Sequence, residues 1–167
     1  NRSPLAGDRA AEVAYEDDIW VGYRHHAPRG VKTAYPFGFG LSYTAFAYSD
    51  LKLSATELSK EMTVSVTVKN TGRTAGREVV QVYLAAPGKN MPKPALELRA
   101  FAKTRTLKPG ESETLTLALT SRDLTSFDTP SSSWLAEAGT YTVRIGASSE
   151  DIRLSATFSK VVAENVA

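Results

Sequence analysis

Residues 62–72, MTVSVTVKNTG, alternate apolar and polar side chains until a turn sequence ends the pattern. Successive side chains of a β-strand point to opposite sides, so the apolar members share one face. These members are Met62, Val64, Val66 and Val68. The closing Asn-Thr-Gly favours a turn, because asparagine and glycine tolerate turn geometry. The segment therefore predicts a strand with one buried face.

Six further segments are predicted strands, and Gly, Pro and Asn punctuate the chain between them. They lie at 46–53, 79–84, 98–107, 114–119, 141–146 and 152–158. Strands of this number and spacing predict an all-β fold, an antiparallel β-sandwich of immunoglobulin or fibronectin type III topology. Tyr83 and Tyr141 fall inside the pattern and are predicted core residues. A single helical turn is predicted at 121–124, with Ser121 as its cap.

Composition limits the possible functions. The chain has 167 residues, which suits one domain, and its 20 basic and 18 acidic residues predict a mixed surface with no nucleic-acid partner. It has no cysteine, which excludes thiol catalysis and disulfides. His25 and His26 are adjacent and predicted to point apart, and no third ligand accompanies them, so neither a metal nor a cofactor is expected. No apolar run is long enough for a membrane span.

Residues 35–44, YPFGFGLSYT, combine four aromatic residues with two glycines, one proline and no charge. Burying each large apolar side chain is worth roughly 1.5–3 kcal/mol, so such a segment is seldom left in water. Pro36 fixes its own φ and biases Tyr35 toward an extended conformation. The composition predicts a shaped connector between packed bodies.

A short alternating stretch precedes the connector. Ile19, Val21 and Tyr23 are predicted to share one face of a strand at 19–24. The following residues, 25–33, have the composition of a loop and offer this strand no partner. We therefore predict that it belongs to the sheet of another domain. The first residue is not methionine and no signal segment follows it, so the chain is expected to begin inside a larger polypeptide.

Several of these segments resemble glycoside hydrolase family 3, the β-glucosidases, β-xylosidases and relatives. Residues 35–44 resemble the run that leads from an α/β sandwich domain into a C-terminal fibronectin type III-like domain in that family. Residues 19–24 resemble the strand just upstream. The segments 68–72, 75–76, 78–83 and 107–111 resemble successive signatures of the terminal domain. The resemblance extends from about residue 15 to about residue 154.

The resemblance implies a C-terminal structural module of an enzyme that removes non-reducing β-linked sugars with retention, as β-glucosidases do. It divides the chain into 1–45, the end of the α/β domain with the connector, and 46–167, the fibronectin type III-like domain. Family 3 places its catalytic carboxylates in domains that match nothing here, so no catalytic residue is carried over. The acidic pairs of this chain are predicted to be solvated charges, although glycoside hydrolysis does need two carboxylates. Secreted or periplasmic localisation is favoured over cytoplasmic.

The implied partners are the remaining catalytic domains, with the β-glycoside that they bind. Seven residues are predicted to pack between domains: Trp20, Tyr23, Arg24, Tyr35, Phe37, Phe39 and Tyr43. The alternative is a stand-alone carbohydrate-binding or adhesion module, a common use of such domains. Exposed aromatic residues can stack on sugars, but Trp134 is predicted instead to cover one end of the sandwich.

Overall fold

Antiparallel sheets are the main regular structure of the described residues. The computed structural model describes residue 14, residues 16–26 and residues 29–166. The Asn-Arg-Ser sequence at residues 1–3, which fits the N-glycosylation pattern, lies outside them. Within the described residues, helix α1 is Tyr23–His26 and a 3₁₀ helix is Ser121–Leu124. The strands are β1 Phe46–Leu53, β2 Glu61–Asn70, β3 Val79–Ala85, β4 Glu97–Lys103, β5 Ser112–Thr120, β6 Thr125–Asp128, β7 Ser133–Ala136, β8 Gly139–Gly146, β9 Ile152–Lys160 and β10 Glu164–Val166.

Two sheets form the sandwich. One has the order β1-β2-β5 and the other β4-β3-β8-β9. Strand β2 sends its predicted apolar face into the core, where Val64, Val66 and Val68 are completely buried. Tyr141 is also buried, and its hydroxyl donates to the Glu137 carbonyl at 2.8 Å. Tyr141 lies near the start of β8. A tyrosine that hydrogen-bonds the backbone a few residues upstream in this way is typical of immunoglobulin-like sandwiches. The predicted all-β sandwich is confirmed.

A third, small sheet was not predicted. It has the order β10-β7-β6, and Phe127 lies opposite Trp134 in the β6–β7 register. Its strands are three or four residues long, too short for alternation to show. The predicted helical turn exists at Ser121–Leu124, but its cap is Thr120. The backbone N–H and the hydroxyl of Thr120 both donate to the Asp123 carboxylate at 2.8 Å.

The predicted strand at 19–24 is wrong. Residues 16–19 form a turn, and α1 begins at Tyr23. The amides of Arg24 and His25 donate to the carbonyls of Val21 and Gly22 at 3.2 and 3.0 Å. Gly22 has a φ of +56°, a conformation that glycine reaches without strain. Three alternating apolar residues are a weak strand signal, and this segment closes its backbone hydrogen bonds locally instead of across a sheet.

Candidate functional site: the connector on the outer face of the sandwich

Strand β3 is buried on both of its faces. Its inward side chains, such as Val80 and Val82, belong to the core. Its outward side chains, Gln81 and Tyr83, would meet water in a bare sandwich, yet they are only 4 % and 0 % exposed. The cover is supplied by α1 and by the connector, residues 35–44. Burial raises the pKa of the Tyr83 phenol, which therefore stays protonated as a donor.

Gln81 makes three hydrogen bonds, and one of them fixes the connector to the sheet. Its Nε2 donates to the Gly38 carbonyl at 3.1 Å and to the Ala147 carbonyl at 2.7 Å. Its Oε1 accepts the Tyr83 hydroxyl at 2.6 Å. The Ser149 amide adds a bond to the carbonyl of Phe37 at 2.9 Å. One buried amide therefore joins the connector, β3 and the β8–β9 turn.

Gly38 makes this close approach possible. The Phe39 amide donates to the Pro36 carbonyl at 3.0 Å, which closes a turn around Gly38. Gly38 has a φ of +80°, and a β-carbon added there would lie 2.2 Å from Gln81 Oε1. Both the backbone conformation and the space require glycine at this position.

Helix α1 docks beside the connector. The Tyr23 ring stacks on Phe37 with centroids 4.6 Å apart and meets Tyr83 edge-on at 6.1 Å. Its hydroxyl accepts the Leu98 amide at 2.9 Å. Arg24 Nη1 lies 3.1 Å from Glu97 Oε1 at the start of β4. Tyr23, Arg24 and Phe37 are thus brought together, against this chain's own sandwich.

The other predicted packing residues remain outside. We define the apolar crest as Tyr35, Phe39, Leu41 and Tyr43, which are 71, 46, 92 and 98 % exposed. The rings of Tyr35 and Phe39 lie 5.2 Å apart. Trp20 lies in the preceding segment and is partly exposed. The chain alone does not bury the crest, and its role between domains stays a prediction.

Sequence reasoning missed Gln81 and Leu98, which hold the connector and Tyr23. The only available signal was a single glutamine in the apolar run 79–84. A polar residue in such a strand is ordinarily assigned to a solvated outer face, and nothing local indicates that another segment covers it.

Known proteins resemble this chain over most of its length. The family model for the fibronectin type III-like domain matches residues 78–149. The β-glucosidase of Rhizobium radiobacter is 44 % identical over 144 residues, 86 % of this chain and 18 % of the relative. Thermostable β-glucosidase B of Acetivibrio thermocellus is 40 % identical over 85 % of the chain and 19 % of the relative.

Solved structures of β-glucosidases also resemble this chain. β-Glucosidase 3B of Thermotoga neapolitana, in complex with α-D-glucose, superposes with a TM-score of 0.86 and 49 % identity over 91 % of this chain and 21 % of that protein. The GH3 β-glucosidase of Bifidobacterium adolescentis superposes with a TM-score of 0.83 and 36 % identity over 89 % of this chain and 22 % of that protein. The chain belongs with the fibronectin type III-like region of family 3 glycoside hydrolases. It spans about a fifth of the length of these relatives. The division at residues 45 and 46 stays a prediction.

A charged cluster lies beside the connector of this fibronectin type III-like chain. The Tyr48 hydroxyl donates to Glu78 Oε1 at 2.9 Å, and the Arg153 guanidinium lies 4.5 Å from the centre of the Tyr48 ring. Arg153 also pairs with Asp151 at 2.8 Å. Burial raises the pKa of the Glu78 carboxyl, and burial together with Glu78 raises the pKa of Tyr48. Hydrogen bonds from Arg153 lower the pKa of Asp151.

Glu78→Gln is expected to stabilise the chain at neutral pH. Because the folded-state pKa of Glu78 lies above its unfolded value, stability is lost as pH rises through the folded pKa and the buried carboxyl ionises. Glutamine keeps an acceptor for Tyr48 without that charge. The gain should be less than about 1 kcal/mol, since the site is partly open to water. Urea unfolding should show the difference at pH 7 and none below the ordinary carboxyl pKa. A constant difference across this range contradicts the assignment to Glu78.

The remaining polar candidates show no catalytic geometry. His25 and His26 lie in α1 with their rings edge-on at 5.3 Å. Glu111 accepts from the Arg105 guanidinium at 2.9 Å, and Glu113 accepts from the Arg105 backbone amide at 2.8 Å, so both carboxylates are bonded to one residue. Among the described residues, no three histidine or acidic side chains are grouped so that they could hold a metal ion. No helix in the described part of the chain is long and apolar enough to cross a membrane.

Proposed function

We propose that this chain is the C-terminal structural module of a family 3 β-glucosidase-type enzyme, which removes non-reducing β-linked sugars with retention. The chain supplies no catalytic residue in this proposal. It docks on the catalytic domains through the apolar crest and holds them in a fixed arrangement. The β-glycoside substrate binds to those other domains.

The exposure of the crest carries this proposal. The inner side of the connector is already hydrogen-bonded to Gln81 and Ser149 and stacked on Tyr23, whereas Leu41 and Tyr43 are almost fully exposed. Several exposed large apolar side chains on one short segment favour an interaction site in soluble proteins. The bonded inner side holds the patch in one shape, which favours a fixed partner surface over a flexible tether. The relatives provide the partner in the four-fifths of their length that this chain does not match.

The test compares the same substitutions in two contexts. Leu41→Ser with Tyr43→Ser should leave the unfolding midpoint of the chain alone unchanged, because both side chains are exposed there. In the longer enzyme, the pair should lower stability by about 3 kcal/mol, as expected for exposing two buried apolar side chains. Thermal unfolding and limited proteolysis at the connector measure the loss.

Val162→Ser is the matched control, because Val162 is 71 % exposed and lies outside the crest. It should have little effect in either context. Equal, small effects of the crest substitutions in the chain and in the longer enzyme would contradict docking through the crest. That result would favour the stand-alone carbohydrate-binding or adhesion module.

A further inference from the structure

A cleft of about 580 Å³ lies at the small sheet, and Arg24 is one of its lining residues. Its walls come from the turn before α1, the loop at 90–94, the start of β4 and strands β6 and β7. This volume falls within the range of ~300–1,000 Å³ that is typical of small-molecule sites. We call it the aromatic cleft.

One wall of the aromatic cleft is a pair of aromatic side chains. Phe127 and Trp134 are cross-strand partners whose ring centroids lie 5.5 Å apart at an interplanar angle of 69°. They are 50 % and 47 % exposed. The edge-on contact orients the two rings relative to each other and leaves apolar ring surface open to the cleft. A half-exposed pair of large aromatic side chains is an unusual way to end a sandwich, since such rings are ordinarily covered.

Another part of the cleft lining carries donors and acceptors next to one another. Glu97 lies between two arginines, with Arg24 Nη1 at 3.1 Å and Arg99 Nη2 at 2.7 Å from its two oxygens. Arg99 Nε is buried and has no hydrogen-bond partner within the part of the chain that the structure describes. Glu97 offsets one of the two positive charges, so the wall offers fixed polar groups of both signs.

We propose that the aromatic cleft binds a neutral pyranoside of one or two sugar units. A pyranose ring has an apolar C–H face that can lie against an aromatic ring, whose face is electron-rich. Its hydroxyl groups each donate and accept, which matches a guanidinium beside a carboxylate. An inorganic anion would gain nothing from Phe127 and Trp134. The proposal goes beyond the structural role of the module and does not depend on it.

The test is a titration of the isotope-labelled 167-residue chain with cellobiose, followed by amide and indole resonances. We expect saturable shifts at Trp134 and at the cleft residues of β6. Phe127→Ala and Trp134→Leu should each weaken binding by about tenfold, the effect of losing one aromatic contact. Leucine keeps an apolar side chain on β7, so Trp134→Leu tests the ring with little risk to the sheet.

Two controls match these variants. Phe101→Ala removes a 68 % exposed ring outside the cleft and should leave cellobiose binding unchanged. Sorbitol presents similar hydroxyl groups without a ring face and should not shift Trp134. No saturable shift with cellobiose, an equal response to sorbitol, or unchanged binding by Trp134→Leu would each overturn the proposal. So would cellobiose failing to perturb Trp134 in the longer enzyme with its active site blocked, because another domain would then cover the cleft.

Discussion

Gly38→Ala is expected to release the connector from the outer face of the sandwich. Alanine at a φ of +80° costs about 1–2 kcal/mol, and the new β-carbon would lie 2.2 Å from Gln81 Oε1. Gln81 must then move, which strains its bonds to the carbonyls of Gly38 and Ala147. A weakened buried hydrogen bond adds about 1–3 kcal/mol. The free energy of unfolding should therefore fall by about 2–4 kcal/mol, as measured with urea.

Gly40→Ala is the matched control for this change. A β-carbon at Gly40 would meet no atom within 4 Å, and its φ is not in the left-handed region. The same substitution two residues away should therefore change stability little. Near-ultraviolet circular dichroism should report the loss of the Tyr23–Phe37 stack in Gly38→Ala alone. Equal effects of the two substitutions would show that the connector is not held at Gly38.

Lys93→Met is expected to destabilise the chain by about 3–5 kcal/mol, because it leaves a buried carboxylate without its counter-charge. Lys93 Nζ lies 3.9 Å from Glu137 Oε2, and the two side chains are 4 % and 0 % exposed. Burial lowers the pKa of Lys93. The pair also fixes the loop at the rim of the aromatic cleft, since the Asn90 amide donates to Glu137 Oε1 at 2.7 Å.

The double variant Lys93→Met with Glu137→Gln should recover most of that loss. Glutamine keeps the acceptor for Asn90, and no unpaired charge remains buried. Replacing a buried ion pair as a unit is often nearly neutral, whereas removing one member is costly. Urea unfolding of the parent, both single variants and the double variant gives the coupling energy. Lys89→Met, on an exposed position of the same loop, should have little effect. Additive effects of the two single substitutions would contradict the pairing.

Alternation predicted the sandwich because strands such as β2 have one buried face, and β3, which is buried on both faces, was found from its apolar run instead. The pattern at 62–68 is a direct consequence of strand geometry, so β2 and its core side chains could be found from sequence. The small sheet could not be found this way, since its strands are too short for a period to register. For the same reason the cross-strand pairing of Phe127 with Trp134 could not be predicted from the sequence.

The sequence identified residues 35–44 as a distinctive segment, but it did not show which other residues this segment contacts. The aromatic content of 35–44 predicted a segment that packs between domains, and this stays a prediction; within this chain Phe37 stacks on Tyr23, whereas Leu41 and Tyr43 are exposed. Phe37 and Phe39 are similarly exposed, at 47 % and 46 %, but Phe37 stacks on Tyr23 whereas Phe39 lies against Tyr35, a difference that the sequence pattern does not show. The prediction therefore grouped Phe37 with Tyr43, whereas the structure places Phe37 on Tyr23 and leaves Tyr43 exposed.

Because α1 and the connector cover the outer face of β3, they determine the smallest fragment that can be moved to another protein intact. A truncation starting at Phe46, where β1 begins, would remove α1 and the connector, which cover Gln81, Tyr83 and Leu98. Gln81 Nε2 would then lose the Gly38 carbonyl, and the Leu98 amide would lose the Tyr23 hydroxyl. A fragment that begins at Gly22 retains both α1 and the connector. A fragment for grafting should therefore begin before α1. It then includes residues 22–45, which precede the first strand of the sandwich.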